Sequence, residues 1–259
     1  MGEGFVAVET RVERQTVKLL NVPVDIIAPE QLGGYVYDLL RDKKEHNIVL
    51  LSLWDLMRAR RNSEYRYYIQ RASLVIPISK SLVSGIKFLT GKKAYRYMPF
   101  DFIISLLTIL EAREFSCYLL GGKTKIILKT EKNIRQTFPK LRIVGRFPGY
   151  FKRSDEATII KAIKKASPSL LLAGKGIRGE EKWIARNNVA LGNSGMRLWC
   201  SDIFDVFAEK KKHPSRAAFD LGFEWIGYSF QKPYKFLRVF PYMYYKILLI
   251  VYKLFVKEK

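Results

Sequence analysis

Cysteine and histidine are scarce in this chain of 259 residues, with two of each. Cys117 and Cys200 lie in apolar, strand-like stretches with no CxxC spacing and no histidine nearby. That excludes a disulfide framework and a Cys/His zinc site, and reads as core packing in a reducing compartment. His46 and His213 show no HxxxH spacing, so no metal ligand is expected. Acidic residues are also few: 24 Asp and Glu stand against 46 Lys and Arg, for a formal net charge of +22. Such a chain needs an anionic partner, and nucleic acid, anionic lipid and nucleotide sugar all qualify. No basic segment followed by an apolar core opens the sequence, so export by a leader is not expected. There is no internal repeat, no low-complexity block, no GxxxxGK[ST] phosphate loop and no nucleophile elbow. Recognisable RNP, KH and helix-turn-helix elements are missing too, which disfavours nucleic acid as the partner.

What is present is a sizeable core, with 48% of residues hydrophobic. Residues 1–16 read as a polar, loose tail. Val17 to Ile27 alternates as a hairpin would, and Pro29 to Arg41 has helical spacing. Short apolar runs follow at Ile48–Leu53, Leu74–Ile76, Phe115–Leu120, Leu141–Val144, Leu170–Ala173 and Met196–Cys200. Helical patterns over 54–70, 80–89, 101–113, 123–138, 154–166 and 180–187 separate them. Strands alternating with helices predict an α/β fold, a Rossmann-like, mainly parallel sheet with helices on both faces.

Composition shifts near Glu209. We expect an α/β domain over 17–209 and a basic, aromatic appendage over 210–259. Its run FPYMYYKILLIVYKLFV at 240–256 carries Lys246 and Lys253, and is shorter than the roughly 20 apolar residues that span a bilayer. An interfacial helix on an anionic membrane surface is one reading, with its tyrosines at headgroup level and its lysines snorkelling. A terminal helix docked on its own core or on a sister subunit is the other.

Two glycine turns carry the candidate chemistry. Gly121-Gly122-Lys123 follows an expected strand and precedes a helix, and Gly174-Lys175-Gly176 does the same before the acidic helix start at Glu180 and Glu181. Backbone N–H groups there, with the helix dipole and Lys123 or Lys125, offer an anion site; tight backbone geometry alone also explains paired glycines. Asp101, Glu181 and Asp205 are carboxylates expected near the sheet's carboxyl edge, as acid–base groups or as caps and ion-pair partners.

Taken in order, LLGGK at 119–123, FP at 138–139, IVGRFPGYF at 143–151, SPSLLLAGKGIRGEEKWI at 167–184, FD at 204–205 and LGFEWIGYSFQKP at 221–233 resemble the WecG/TagA/CpsF family of bacterial glycosyltransferases. The resemblance covers most of residues 17–240. It implies transfer, with inversion, of an N-acetylmannosamine-type sugar from a UDP donor to a polyprenyl-diphosphate-linked sugar in cell-surface polysaccharide or teichoic-acid synthesis. It also implies a cytoplasmic protein peripheral to the inner face of the membrane, with no cofactor beyond the UDP-sugar co-substrate. Gly121, Gly122, Lys123, Gly174 and Gly176 would shape the donor pocket, and Lys232, Lys235, Arg238 and Lys246 would meet the acceptor and membrane.

Family members carry an Asp-Gly pair after a proline, the aspartate being the proposed general base. After Pro77 this chain has Ile78 and Ser79, and Leu50 and Ser52 replace a threonine and an asparagine. Isoleucine accepts no proton. Asp101 and Glu181 remain as candidate catalytic carboxylates, and a catalytically silent, membrane-bound UDP-sugar-binding or scaffold protein is the alternative.

Overall fold

Runs that are apolar at every position become the inner strands of a parallel sheet, since a strand covered on both faces has no solvent side. The computed structural model describes residues 14–42, 44–192, 195–212, 219 and 239–255. Six strands form the sheet: β3 (His46–Leu51), β4 (Leu74–Pro77), β5 (Ser116–Leu120), β6 (Arg142–Phe147), β7 (Leu170–Gly174) and β8 (Met196–Ser201). Their order is β4-β3-β8-β7-β5-β6, and every pairing is parallel. All five residues of β5 and of β7 are buried, while edge strand β6 alternates exposed and half-buried positions.

Neighbouring residues of one strand serve opposite cores. Cys117, Leu119, Leu172 and Leu198 pack with α1 (Pro29–Arg41), α5 (Pro99–Ala112) and α6 (Thr124–Thr137). Tyr118, Leu120, Leu171 and Ala173 join α2 (Leu53–Arg61), α3 (Ser63–Gln70), α4 (Lys80–Thr90), α7 (Glu156–Ala166) and α8 (Glu181–Arg186). The cysteines are thus core residues, and burial pushes the Cys117 thiol up to about 12 and that of Cys200 upward as well. A two-stranded antiparallel ribbon, β1 (Gln15–Leu19) and β2 (Val22–Ile26), precedes the sheet. Its two-residue turn holds Leu20 and Asn21 at φ of 50° and 66°, the left-handed pair that suits a twisted hairpin.

The helix expected over 54–70 is two helices. Asn62 ends the first and caps the second, its side chain accepting from the Tyr65 N–H at 2.8 Å, a bond available only outside the helix interior. Short helices α9 (Asn188–Leu191) and α10 (Ile203–Phe207) were not anticipated. The last element, α11 (Val239–Phe255), lays Tyr245 and Leu249 against the core. The Tyr245 hydroxyl donates to the Ser81 carbonyl at 3.0 Å, and the Tyr252 hydroxyl to Asn21 Oδ1 at 2.8 Å. Its opposite face exposes Met243, Ile247, Ile250, Leu254 and Phe255. Among the described residues no helix is long and apolar enough to cross a membrane.

Candidate active site

The chain leaves β5 toward β6 and leaves β7 toward β8, so connections diverge at the carboxyl ends of these adjacent strands. Such a divergence opens a crevice in a parallel sheet. Both glycine turns lie there, and they are locked to each other. The Gly121 N–H donates to the Phe147 carbonyl at 3.0 Å and the Gly122 N–H to the Lys175 carbonyl at 2.6 Å; the Gly149 N–H reaches the Gly122 carbonyl at 2.7 Å and the Tyr150 N–H the Gly176 carbonyl at 2.6 Å. Gly121 has φ +133°, and a Cβ there would lie 2.8 Å from the Gly174 backbone. At Gly176, φ +98°, a Cβ would strike the Tyr150 ring, and at Gly174 it would meet Phe204 at 2.9 Å. Close approach of backbones and rings therefore requires these glycines, and the N–H groups of Gly121 and Gly122 serve the protein's own carbonyls.

Two cavities open above this edge. The smaller, of about 380 Å³, is lined by Gly122, Lys123, Tyr150, Lys175, Asp205 and Lys210, with Ser201 and Asp202 on one wall. Gly174 and Gly176 stand behind it rather than in its lining. Three lysines face it, and Tyr150, held at φ 60°, leaves its ring 57% exposed there.

The larger cavity, of about 500 Å³, sits over the ends of β3, β4 and β8 and shares the Ser201–Asp202 wall. Leu50, Ile78, Met98 and Trp199 supply an apolar side; Asp55, Arg58, Glu180 and Glu181 supply a charged one. Ser52 and Asp55 cap α2 reciprocally, the Ser52 N–H donating to Asp55 Oδ2 at 3.0 Å and the Asp55 N–H to Ser52 Oγ at 3.3 Å. The cap fixes Asp55, which holds Arg58 at 3.2 Å, and Arg58 lies 3.8 Å over the Tyr65 ring and pairs with Glu181. Glu181 is buried and Arg58 half-exposed, so this ion pair places a carboxylate at the wall that the chain could not bury alone. Glu64 secures the same helix from outside through Arg186 and Lys182, and the Arg186 hydrogen bond, then Lys182, hold its carboxyl below the usual range.

Burial first, and then the Asp55 charge, raise the Tyr65 phenol well above its ordinary pKa. Burial raises Tyr68 too, and its hydroxyl has no hydrogen-bond partner among the described residues although the residue lines the cavity. Ile78 is pinned: its N–H donates to the Leu51 carbonyl at 2.9 Å and its carbonyl accepts from Arg96 Nε at 2.9 Å.

Glu181 and Ile78 thus line one cavity. Asp101, expected beside the sheet edge, is exposed in the first turn of α5 and lines neither cavity, because the helix start at Pro99 turns it outward. Asp205 lines the smaller cavity. Lys246 lies on exposed helix surface, 5.4 Å from the Tyr242 ring centre; Lys232, Lys235, Arg238 and His213 lie outside the described residues. No cluster that could hold a metal ion occurs among the described residues. The sequence reading did not single out Asp55, Arg58, Tyr150, Asp202 or Lys210. The signal available for the first two was the Ser-x-x-Asp spacing of Ser52 and Asp55, a helix-start pattern.

Comparison with known proteins points one way. The profile of the glycosyl transferase WecG/TagA/CpsF family matches residues 17–259. An N-acetylglucosaminyldiphosphoundecaprenol N-acetyl-beta-D-mannosaminyltransferase of Staphylococcus aureus (strain MW2) is 22% identical over 244 residues, covering 93% of this chain and 95% of that protein. The protein of the same description from Staphylococcus aureus (strain NCTC 8325 / PS 47) is 22% identical over 85% of this chain and 86% of its own length. A Bacillus spizizenii protein of that description is 22% identical over 70% of this chain and 69% of its own length.

Proposed function

This chain belongs to the glycosyl transferase WecG/TagA/CpsF family, and we propose that it transfers an N-acetylmannosamine-like sugar from a UDP donor to a polyprenyl-diphosphate-linked glycan. One observation carries the reading: two cavities of sugar-nucleotide scale share the Ser201–Asp202 wall, one rich in lysine and one holding a buried carboxylate. The smaller cavity takes the donor. Lys123 and Lys175 meet the diphosphate, the Tyr150 ring offers a face to the base, and Gly121, Gly174 and Gly176 hold this geometry from behind. The larger cavity takes the acceptor sugar, whose hydroxyl attacks the donor's anomeric carbon from the side opposite UDP, so the configuration inverts.

The acceptor hydroxyl must lose its proton, and of the carboxylates lining Ile78's cavity, Asp55, Glu180, Glu181 and Asp202, Glu181 is the buried one. Asp101 could serve only by leaving its exposed helix turn. Residues 210–259 act as the membrane-associating appendage: one face of α11 is bound to the core, and its exposed apolar face, flanked by basic residues, rests on an anionic membrane from the cytoplasmic side. The lipid chain of the acceptor then stays in the bilayer while its sugar reaches the larger cavity.

Label transferred from UDP-N-acetylmannosamine to an N-acetylglucosamine-diphospholipid, and lost by at least about tenfold in Glu181→Gln, is the expected result. Absence of transfer from every nucleotide sugar in a donor screen would overturn it. Ile78 at the base position, with Glu181 engaged by Arg58, favours a second reading, a silent UDP-sugar-binding protein. UDP binding by calorimetry without turnover is its signature, and any turnover by the unaltered chain removes it.

A further inference from the structure

Lys210, Lys211 and Lys212 come two residues after the end of α10 and divide between the two cavities. Lys210 lines the smaller one; Lys211 and Lys212 line the larger. Their backbone is fixed at its start, the N–H groups of Lys210 and Lys211 both donating to the Asp205 carbonyl, at 2.9 and 3.0 Å. Two of the side chains are parked on carboxylates, one on the smaller cavity's lining and one on the shared wall. Lys210 Nζ lies 3.3 Å from Asp205 Oδ1, and Lys211 Nζ 2.5 Å from Asp202 Oδ2. Asp202 faces both cavities.

We infer that this lysine step splits two diphosphates: Lys210 binds the diphosphate of the departing nucleotide, and Lys211 with Lys212 binds the diphosphate of the lipid-linked acceptor. The inference rests on the donor and acceptor assignment of the two cavities. Both substrates carry a diphosphate, and drawing two such anions to a common wall raises a repulsion that only cations standing between them can relieve. Consecutive residues on a pinned backbone place cations on both sides of that wall at once. Asp202 and Asp205 keep the lysines in position while the cavities hold no substrate, and a diphosphate, with more charge and more acceptor oxygens, displaces those exposed pairs.

In the transfer step the acceptor hydroxyl oxygen bonds to the anomeric carbon as the bond from that carbon to the β-phosphate oxygen breaks. The hydroxyl proton passes to Glu181 or to water, and the electron pair stays on UDP. Lys210 faces the oxygen that gains this charge. In a chain with Ile78 at the usual base position, help to the leaving group carries more of the barrier.

The test uses the full chain in detergent, with UDP titrated by calorimetry and an N-acetylglucosamine-diphospholipid analogue titrated separately. Lys210→Ala is expected to weaken UDP about tenfold or more and to leave the analogue within about twofold. The double variant Lys211→Ala/Lys212→Ala is expected to do the reverse, and Lys210→Arg to restore most UDP affinity. UDP binding unchanged in Lys210→Ala, or equal losses of both ligands in either variant with an unchanged melting temperature, would overturn the split. Failure of the unaltered chain to bind UDP would instead overturn the donor assignment, and the lysine step with it.

Discussion

The two cavities above the sheet are bounded in opposite ways. Behind the smaller one, the turns at 121–122, 149–150 and 174–176 are knitted by backbone hydrogen bonds and admit no Cβ at Gly121, Gly174 or Gly176. Around the larger one, shape comes from a chain of side chains, Ser52 to Asp55 by hydrogen bond, then Asp55 to Arg58 to Glu181 by charge. Backbone walls fix a pocket but cannot vary without unfolding; side-chain walls can be re-specified one residue at a time. Leu50, Ser52 and Ile78, which the resemblance marks as departures from the family pattern, all fall on the second wall.

Substitutions at each wall test this contrast. The largest effect is expected at Gly121→Ala, where a φ of +133° combines with a 2.8 Å clash against backbone. A loss of about 4 kcal/mol or more, read by urea denaturation or as failure to accumulate folded protein, follows from combining strain and overpacking. A tolerated alanine would break the distinction. Ile78→Asp comes next. On a pinned backbone facing Glu181's cavity, the new carboxylate should raise the transfer rate by about 10²-fold or more, the lower end of general-base catalysis. A folded variant with no gain would show that the larger cavity is not where the acceptor is deprotonated.

Arg58→Ala should cost about 3 kcal/mol, because it leaves the buried Glu181 uncompensated. The double variant with Glu181→Gln should recover part of that loss, which a thermal-melt cycle measures. Gly91→Ala is the control for the first substitution. Gly91 also has positive φ, +71°, but nothing among the described residues lies within 4 Å of its would-be Cβ. Only the left-handed penalty of about 1 kcal/mol remains.

The smallest effect concerns two strands of the sheet beneath the walls, β5 and β8. Cys117 and Cys200 should resist alkylation of the native protein at pH 8, since burial raises both thiols and Cys117 to about 12. The sign is that of an acid kept neutral by folding. Below the unfolded thiol pKa, folded and unfolded chains bind the same proton; above it, the unfolded chain ionises first. Stability should therefore fall as pH rises from about 9 toward 12, and rapid labelling at pH 8 would show local opening of β5 or β8.

Strand positions were legible because each inner strand has an apolar centre bounded by turn residues, and the ordered motifs carried the family; the buried Arg197 of β8 is an exception that the pattern did not anticipate. The split of 54–70 was not legible, because both halves have helical spacing and only the Asn62 side chain, bonding to Tyr65, interrupts them. At the site, Gly121 and Gly174 were visible as turn glycines. Their purpose, close approach to each other, depends on the β5–β7 pairing, which spacing does not reveal. Arg58 was invisible for a like reason: it meets Glu181 across 123 positions of chain, and one arginine among 46 basic residues gives no signal of its partner.

Tyr245 docks its hydroxyl over Gly85, where any Cβ would collide with it, and bonds Ser81 in the first turn of α4. That helix begins two residues after Ile78, so the floor of the larger cavity and the exposed row of Ile247, Ile250 and Leu254 are mounted on one strut. A surface that rested on that row would be tied, through Tyr245 and α4, to the segment that carries Ile78.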